Sequence, residues 1–351
     1  MNLKEIRKSI DLLDARILKL LNDRMELALM TKRFKKRIEE GEREKEVLER
    51  IRRSSNSLIN PGFVEKIYQE IMKESKNLQE KDFRLIAFQG EHGAYGEVAA
   101  RAWNSRLVPI PCREFGEIFE GISSGLYSYG LVPIENRVDG VVGQVNQLLI
   151  KTDLYVVGAV ELPIHFCLMV LPGTDHREIR TVHSHFHTLA QCRLFIERNK
   201  LEPVPYYDTA GAAKMLAEET PKAAAAVASR LAAELYNLEI IKEDIEDHEG
   251  SVTRFLVLSK EENEEAGDKC TIIFSTEHKA GTLFNVLEIF AKAKINLTRI
   301  ESMPHDPEGY VFFLDFLGSK QDEKIAGVLR EVEKLTTTFK LMGCYKEKRV
   351  S

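Results

Sequence analysis

Leu3, Ile6, Ile10, Leu13, Ile17 and Leu20 step along the chain by three and four. That spacing is a heptad seam and predicts one long helix. The next steps fall on Arg24 and then Leu27, so a guanidinium stands where an apolar residue is due. A buried, unpaired guanidinium is costly, so Arg24 demands an anion. A structural ion pair that fixes helix register would meet the demand, and so would a bound ligand. At about 100° per residue Lys35 falls within about 20° of Arg24, while Arg7 points roughly 80–100° away. A second helix is expected after Gly41, with Arg43 and Glu44 on it and Glu40 at its edge. A third begins near Pro61, where Val64, Ile67, Ile71 and Leu78 recur at helical spacing. Ser75 and Gln79 sit four apart on its last turns. These polar residues together predict a cationic pocket, with a carboxylate at one side, inside a helical bundle.

Beyond residue 82 the pattern changes. Short apolar runs (RLIAF, LVPIP, YGLVPI, LYVVGAV) alternate with helical stretches, which predicts a mostly parallel α/β sheet. The acidic stretch at 261–268 reads as a solvated linker. Residues 270–345 then read strand, helix, strand, strand, helix, strand, a ferredoxin-like order. The expected organisation is a helical domain at 1–80, an α/β domain at 83–260 and an α+β module at 270–351.

Composition narrows the partners. The net charge of −5 gives no footprint for nucleic acid, so an anionic substrate needs a local cluster of cations. The N-terminus is charged throughout and lacks the apolar core of a signal peptide. No apolar run approaches the ~20 residues of a membrane span. The five cysteines are scattered and show no CxxC spacing, so free thiols in a reducing cytoplasm are expected.

The middle zone supplies candidate chemistry at strand ends, where open α/β sheets place ligands. Strand RLIAF runs into Gly90-Glu91-His92-Gly93-Ala94-Tyr95-Gly96, with a helix expected from about Val98. Glycines there fit an anion site or a plain tight turn. A dinucleotide fold competes, with Glu114 about twenty residues on, but GxxGxxG fails the GxGxxG fingerprint. Glu135 and Asn136 end one strand, and Thr253, Arg254 and Phe255 begin another. Ser184, His185 and Thr209 lie at further strand ends, where Thr209 also suits an N-cap. His183, His185 and His187 alternate, yet no Cys or acidic set completes a metal site, so a loop and helix cap is the better reading.

These motifs carry resemblances. IRKSIDLLDARILKLLNDRMELA, REKEVLERI and ESKNLQ, spanning nearly all of 1–80, resemble the all-helical chorismate mutases. The resemblance implies a site of Arg24, Lys35, Glu40, Glu44, Ser75 and Gln79, with Arg7 contributed by the partner of an intertwined dimer. Arg7 and Arg24 would clamp the carboxylates of chorismate, Lys35 and Gln79 would donate to its ether oxygen, and Glu44 would accept from its ring hydroxyl. VPIEN, SH, the TAGAA stretch and TRF, in that order, resemble the prephenate dehydratases and their two-lobed fold, similar to periplasmic binding proteins. That resemblance implies Thr253 as the group assisting loss of the ring hydroxyl. Arg254 and the Gly93–Ala94–Tyr95 backbone would bind carboxylates. Glu135, Asn136, Ser184, His185, Thr209 and Phe255 would complete the cleft. Lys279-Ala280-Gly281-Thr282-Leu283-Phe284 and Glu301-Ser302-Met303-Pro304 resemble the ligand loops of ACT domains, with Met303 where arginine is usual. Gly281, Leu283, Glu301 and Ser302 are the implied effector contacts, and phenylalanine the implied effector. The expected enzyme converts chorismate to prephenate and prephenate to phenylpyruvate as a homodimer or higher oligomer. It is expected in the cytoplasm, with no membrane or nucleic-acid partner and neither metal nor organic cofactor. The alternatives are an NAD-dependent prephenate oxidoreductase and a non-catalytic amino-acid sensor.

Overall fold

The computed structural model describes residues 2–34, 41–54, 58–81, 83–263, 267–305 and 309–350. The first zone is helical: α1 (Leu3–Thr31), α2 (Gly41–Ser54) and α3 (Pro61–Glu80). Helix α1 stops at Thr31, and a 3-10 turn follows at Lys32–Phe34. The expected positions Lys35 and Glu40 lie outside the described residues. Asn60 starts α3 by accepting from the Gly62 N–H at 2.8 Å, with Pro61 in the first turn where its missing N–H costs nothing. Helix α3 buries Met72, Ser75 and Gln79. The heptad seam is left uncovered in the single chain: Leu13, Ile17 and Leu20 are more than half exposed.

The α/β zone has two lobes. Its elements are β1 (Leu85–Gln89), α4 (Tyr95–Trp103), β2 (Val108–Cys112), α5 (Phe115–Ser123), β3 (Tyr129–Asn136), β4 (Gly140–Val141), α6 (Gly143–Lys151) and β5 (Tyr155–Pro163). The second lobe follows with β6 (Cys167–Val170), β7 (Thr181–Ser184), α7 (Phe186–Gln191), α8 (Arg193–Arg198), β8 (Glu202–Pro205), α9 (Thr209–Glu219), β9 (Ala224–Ala228), α10 (Arg230–Leu235) and β10 (Glu239–Lys242). Strand β11 (Val252–Ser259) then returns to the first lobe, lying antiparallel between β3 and β5. The first sheet has the order β16-β5-β11-β3-β1-β2, where β16 is the C-terminal strand Glu347–Arg349, and the second β10-β6-β9-β7-β8. One apolar core, including Leu131, Val157, Phe255, Val182 and Ala225, runs between the lobes. Helix α4 opens at Tyr95, earlier than the expected Val98.

The C-terminal module is β12 (Lys269–Ser275), α11 (Thr282–Lys292), β13 (Leu297–His305), β14 (Gly309–Leu317), α12 (Glu323–Leu335) and β15 (Thr338–Tyr345), with sheet order β13-β14-β12-β15. It is welded to the first lobe. Ile273, Phe313, Met342 and Tyr345 share an apolar core with Leu85, Ile134 and Leu256, and Leu29 of α1 joins them. Gly343 brings β15 against β5 so closely that a Cβ there would meet the Val156 carbonyl oxygen. The chain then continues as β16 (Glu347–Arg349), which pairs with β5 in the large sheet. The expectation of free thiols is corrected here. Cys270 and Cys344 are cross-strand partners on β12 and β15 and form a disulfide, while Cys112, Cys167 and Cys192 are free and buried. Their separation of 74 residues offered no spacing cue.

Candidate active sites

Arg24 leaves the helical seam and turns into a cavity of about 500 Å³ between α1, α2 and α3. Its Nη1 donates to Ser75 Oγ at 2.6 Å, and Glu44 and Gln79 line the same cavity. The structure therefore gathers four of the expected residues from three helices. Ser75 donates its own hydrogen bond to the Ile71 carbonyl at 2.8 Å, which fixes the hydroxyl as an acceptor for Arg24. The Gln79 amide donates to the Ala28 carbonyl and to Thr31 Oγ1, which secures α3 to the end of α1. Lys76, Arg43 and Arg50 add positive charge that the seam pattern did not reveal. Lys76 pairs with Glu44 at 3.1 Å. Arg7 is exposed on α1 and lies outside this cavity's lining.

In the α/β zone, Asn136 and Thr253 are cross-strand partners, and Asn136 Nδ2 donates to Thr253 Oγ1 at 2.8 Å. The Asn136 carbonyl oxygen accepts from the Val138 and Asp139 N–H groups at 2.7 and 3.0 Å, which settles which way the amide faces. With its oxygen already accepting, the threonine hydroxyl is free to donate outward. The turn after Asn136 crosses to the second lobe: Gln191 Nε2 donates to Asp139 Oδ2 at 2.6 Å. Gln191 ends α7, whose N-cap residue is His185. Burial, reinforced by the neighbouring His187, pushes His185 below the ordinary histidine value. Thr253 and Asn136 thus sit beside the turn that Gln191 ties to α7, the helix that His185 starts.

Several expected residues sit elsewhere. Arg254 does not reach the cleft. Side chains alternate along a strand, so it faces the side opposite Thr253, where it is buried against Asp315, Glu347 and Tyr345. Glu135 follows the same alternation and lies 3.5 Å from both Arg254 Nη1 and Arg299 Nε. Phe255 belongs to the apolar core between the lobes. The Ser184 hydroxyl is buried and spent on the Val227 carbonyl at 2.7 Å. Asp208, not Thr209, caps α9, and Thr209 pairs with Thr188 at 2.9 Å. The glycine turn is an interlobe contact and not an open anion cradle. Gly93 N–H donates to Glu97 at 2.8 Å, Ala94 N–H donates to the Glu91 carbonyl, and the Tyr95 hydroxyl donates to the His165 carbonyl. Gly93 has φ +88°, and a Cβ there would collide with Ala232.

No sequence pattern marks the cluster around His92. Its Nε2 meets Glu26 of α1 at 2.9 Å and its Nδ1 meets Glu97 at 3.1 Å, with Arg101 on the far side of Glu97 at 2.6 Å. Asp23 stands near enough to complete a cation cage, but Lys19 already holds it at 2.9 Å, so these are ion pairs and not a metal pocket. Burial disfavours the charged imidazole, yet the bonds to Glu26 and Glu97 outweigh it and push the His92 pKa up to about 9. The folded value lies above the unfolded one. The stabilisation is therefore full below the ordinary histidine pKa and is lost as pH rises through about 9. Its ceiling is about 3 kcal/mol. The melting-temperature gap between the parent and His92→Asn should be widest near pH 6 and close by pH 10. A gap that stays constant across that range would remove the protonated link.

In the C-terminal module, Gly281 is exposed at the N-cap of α11 with φ +91°, and Leu283 lies in its first turn. Glu301 and Ser302 lie on β13, paired with Phe313 and Phe312 of β14. Met303 packs against the core shared with the first lobe.

Residues 6–80 match the family of type II chorismate mutases, residues 86–263 prephenate dehydratase, and residues 271–334 the ACT domain. A bifunctional chorismate mutase/prephenate dehydratase of Aquifex aeolicus is 34% identical over 98% of this chain and 97% of its own. The chain belongs to that bifunctional family. Among solved structures, a prephenate dehydratase from Arthrobacter aurescens in complex with L-Phe is 30% identical, with a TM-score of 0.69 over 75% of this chain and 89% of that one. A protein described as a novel type of quorum-quenching acylase is 32% identical, with a TM-score of 0.70 over 75% of this chain and 97% of that one. As a chorismate mutase/prephenate dehydratase, the chain combines an isomerase in its helices with a lyase in its two lobes and serves phenylalanine biosynthesis. The multidomain fold is the expected one: helical bundle, two-lobed α/β unit and ferredoxin-like module. No described helix is long and apolar enough to cross a membrane.

Proposed function

We propose that Arg24, Glu44, Ser75 and Gln79 form the mutase site, that Thr253 and Asn136 carry the dehydratase reaction, and that phenylalanine binding to the C-terminal module restrains the second step. The observation that carries the dehydratase assignment is the oriented pair Asn136–Thr253. Prephenate must break the bond to its ring carboxylate, and the released electron pair makes the ring aromatic as the ring hydroxyl departs. Thr253 donates a hydrogen bond to that oxygen as negative charge grows on it; the carboxylate leaves as carbon dioxide, and the departing hydroxide takes a proton from solvent to become water. Asn136 keeps the donor aimed. In the helical cavity chorismate needs no covalent catalyst, since holding the compact conformer is enough to lower the barrier. Arg24 pairs with one carboxylate. The bare apolar seam of α1 supports a second copy of the chain lying along it, which would also bring in Arg7. Cytoplasmic residence belongs to the same reading, in keeping with small soluble substrates.

Supplying chorismate alone to the full chain tests the two-step reading. Prephenate should rise and then give way to phenylpyruvate, and a stall at either compound would refute one activity. Arogenate offered in parallel measures the preference between the keto acid and its amino relative. Phenylalanine added to the prephenate assay, with binding to the full chain measured by calorimetry, should bind and inhibit together. No binding would leave the module a structural element.

A further inference from the structure

The buried ion pairs behind β11 and β3 lie one residue away from the reacting pair. The strand register matches Thr253 with Asn136 and Arg254 with Glu135. One face of this patch holds the reacting side chains, and the C-terminal module grips the other. Asp315 and Glu347 each take an Arg254 nitrogen at 2.5 Å, and Tyr345 takes the third at 2.9 Å.

Arg299 makes a looser connection. It stands on β13, and its side chain leaves the module to touch two points of the first lobe. Its Nε lies 3.5 Å from Glu135 Oε2, and its Nη2 donates to Asn146 Oδ1 at 3.4 Å. Glu135 immediately precedes Asn136, and Asn146 sits on α6. The turn that crosses to the second lobe through Asp139 and Gln191 runs between them. Arg299 therefore holds both roots of the segment that bridges the cleft. Arg299 Nε and Asn146 Nδ2 are also buried without a hydrogen-bond partner among the described residues. Unsatisfied buried donors are unfavourable, so a small shift of β13 that pairs either one gains stability. A contact with donors in reserve has a second arrangement within reach.

We propose that Arg299 is a positioning residue for the dehydratase. It sets how the turn after Asn136 sits against the second lobe, and an amino acid bound at Glu301 and Ser302 acts on turnover by moving it. This inference rests on the reading of the module as a phenylalanine sensor. Arg299 and Glu301 lie two apart on one strand, so a ligand that draws Glu301 outward moves the guanidinium with it. Met303, also two further on, offers only an apolar contact to the lobe, which leaves the charged contact to Arg299.

The test uses the full chain carrying Arg299→Met, with Arg299→Lys as the conservative partner. Each is assayed for phenylalanine binding by calorimetry, for the half-inhibitory concentration, and for kcat and KM without effector. Arg299→Met should bind phenylalanine as the parent does, with basal kcat lowered more than KM is changed, because the turn after Asn136 loses one of its holds. Its half-inhibitory concentration should rise roughly tenfold or more, within the ~5–150-fold span of typical couplings. Arg299→Lys should restore part of the sensitivity. An Arg299→Met enzyme inhibited along the parent's curve overturns the inference. If Arg299→Met also loses binding, Asn146→Leu decides, because it lies outside the module. Decoupling in that variant with binding intact supports the joint, and parental inhibition overturns it. A parent that is not inhibited at all sinks the sensor reading and this inference together, whereas an inhibited parent with unmoved variants sinks the inference alone.

Discussion

Thr253→Ala should cut dehydratase turnover by roughly 10²–10³, the usual loss when one donor to a developing oxyanion is removed. The mutase step should be untouched, so an enzyme fed chorismate will accumulate prephenate. The reason is geometric. Asn136 donates to the Thr253 oxygen at 2.8 Å, and the Asn136 amide is itself locked by two backbone N–H groups, so the Thr253 hydroxyl accepts from Asn136 and keeps its own proton for another acceptor. Thr253→Ser keeps that proton and should retain much of the rate. Thr253→Val keeps the shape without the proton and should behave like alanine. The assay is phenylpyruvate formation from supplied prephenate. Near-parental turnover in both the alanine and valine variants would mean that another group donates to the leaving oxygen. A loss confined to KM would reassign Thr253 to binding.

Arg24→Ala should have the complementary outcome. Losing a guanidinium that pairs with a substrate carboxylate costs about 2–5 kcal/mol, roughly 30- to 4,000-fold in kcat/KM for chorismate. Dehydratase activity on supplied prephenate should persist, since Arg24 opens into the helical cavity and its partner is Ser75. Arg24→Lys should recover little, because an ammonium cannot reproduce a planar fork of donors. Parallel loss of both activities in a folded variant would contradict two independent sites.

The sequence was most readable where one side chain alone broke a pattern. Arg24 interrupts an apolar seam, and the structure gives it a polar cavity. The alternation of short strands and helices was equally plain, but the expected mostly parallel sheet is corrected: both lobe sheets are mixed, with β11 antiparallel to β3 and β5 and β6 antiparallel to β9 and β10. The two faces of β11 were not distinguishable from sequence. Burial along β11 is nearly continuous from Arg254 onward, so hydrophobicity has no period of two to tell the cleft side from the module side. Thr253 and Arg254 looked like one motif with one destination, yet they point to opposite faces. The Asn136–Thr253 bond joins strands far apart in the chain and leaves no local trace. Glu97, fully buried, drew no reading from the sequence, because its partners His92 and Arg101 become meaningful only once Glu26 arrives from α1. The disulfide escaped for a similar reason, since the register of β12 and β15 decides it.

The return of β16 to β5 bears on how the molecule is made. A ribosome delivers β5 before the C-terminal module and β16 after it. Until β16 emerges, β5 presents bare N–H and C=O groups along its edge, the kind of edge on which nascent chains pair wrongly. Arg254 meanwhile lacks Glu347, one of the carboxylates that offset its burial. The large sheet can therefore reach its final form only after the C-terminal module has been synthesised. In a growing chain, the two lobes and the C-terminal module mature as one unit.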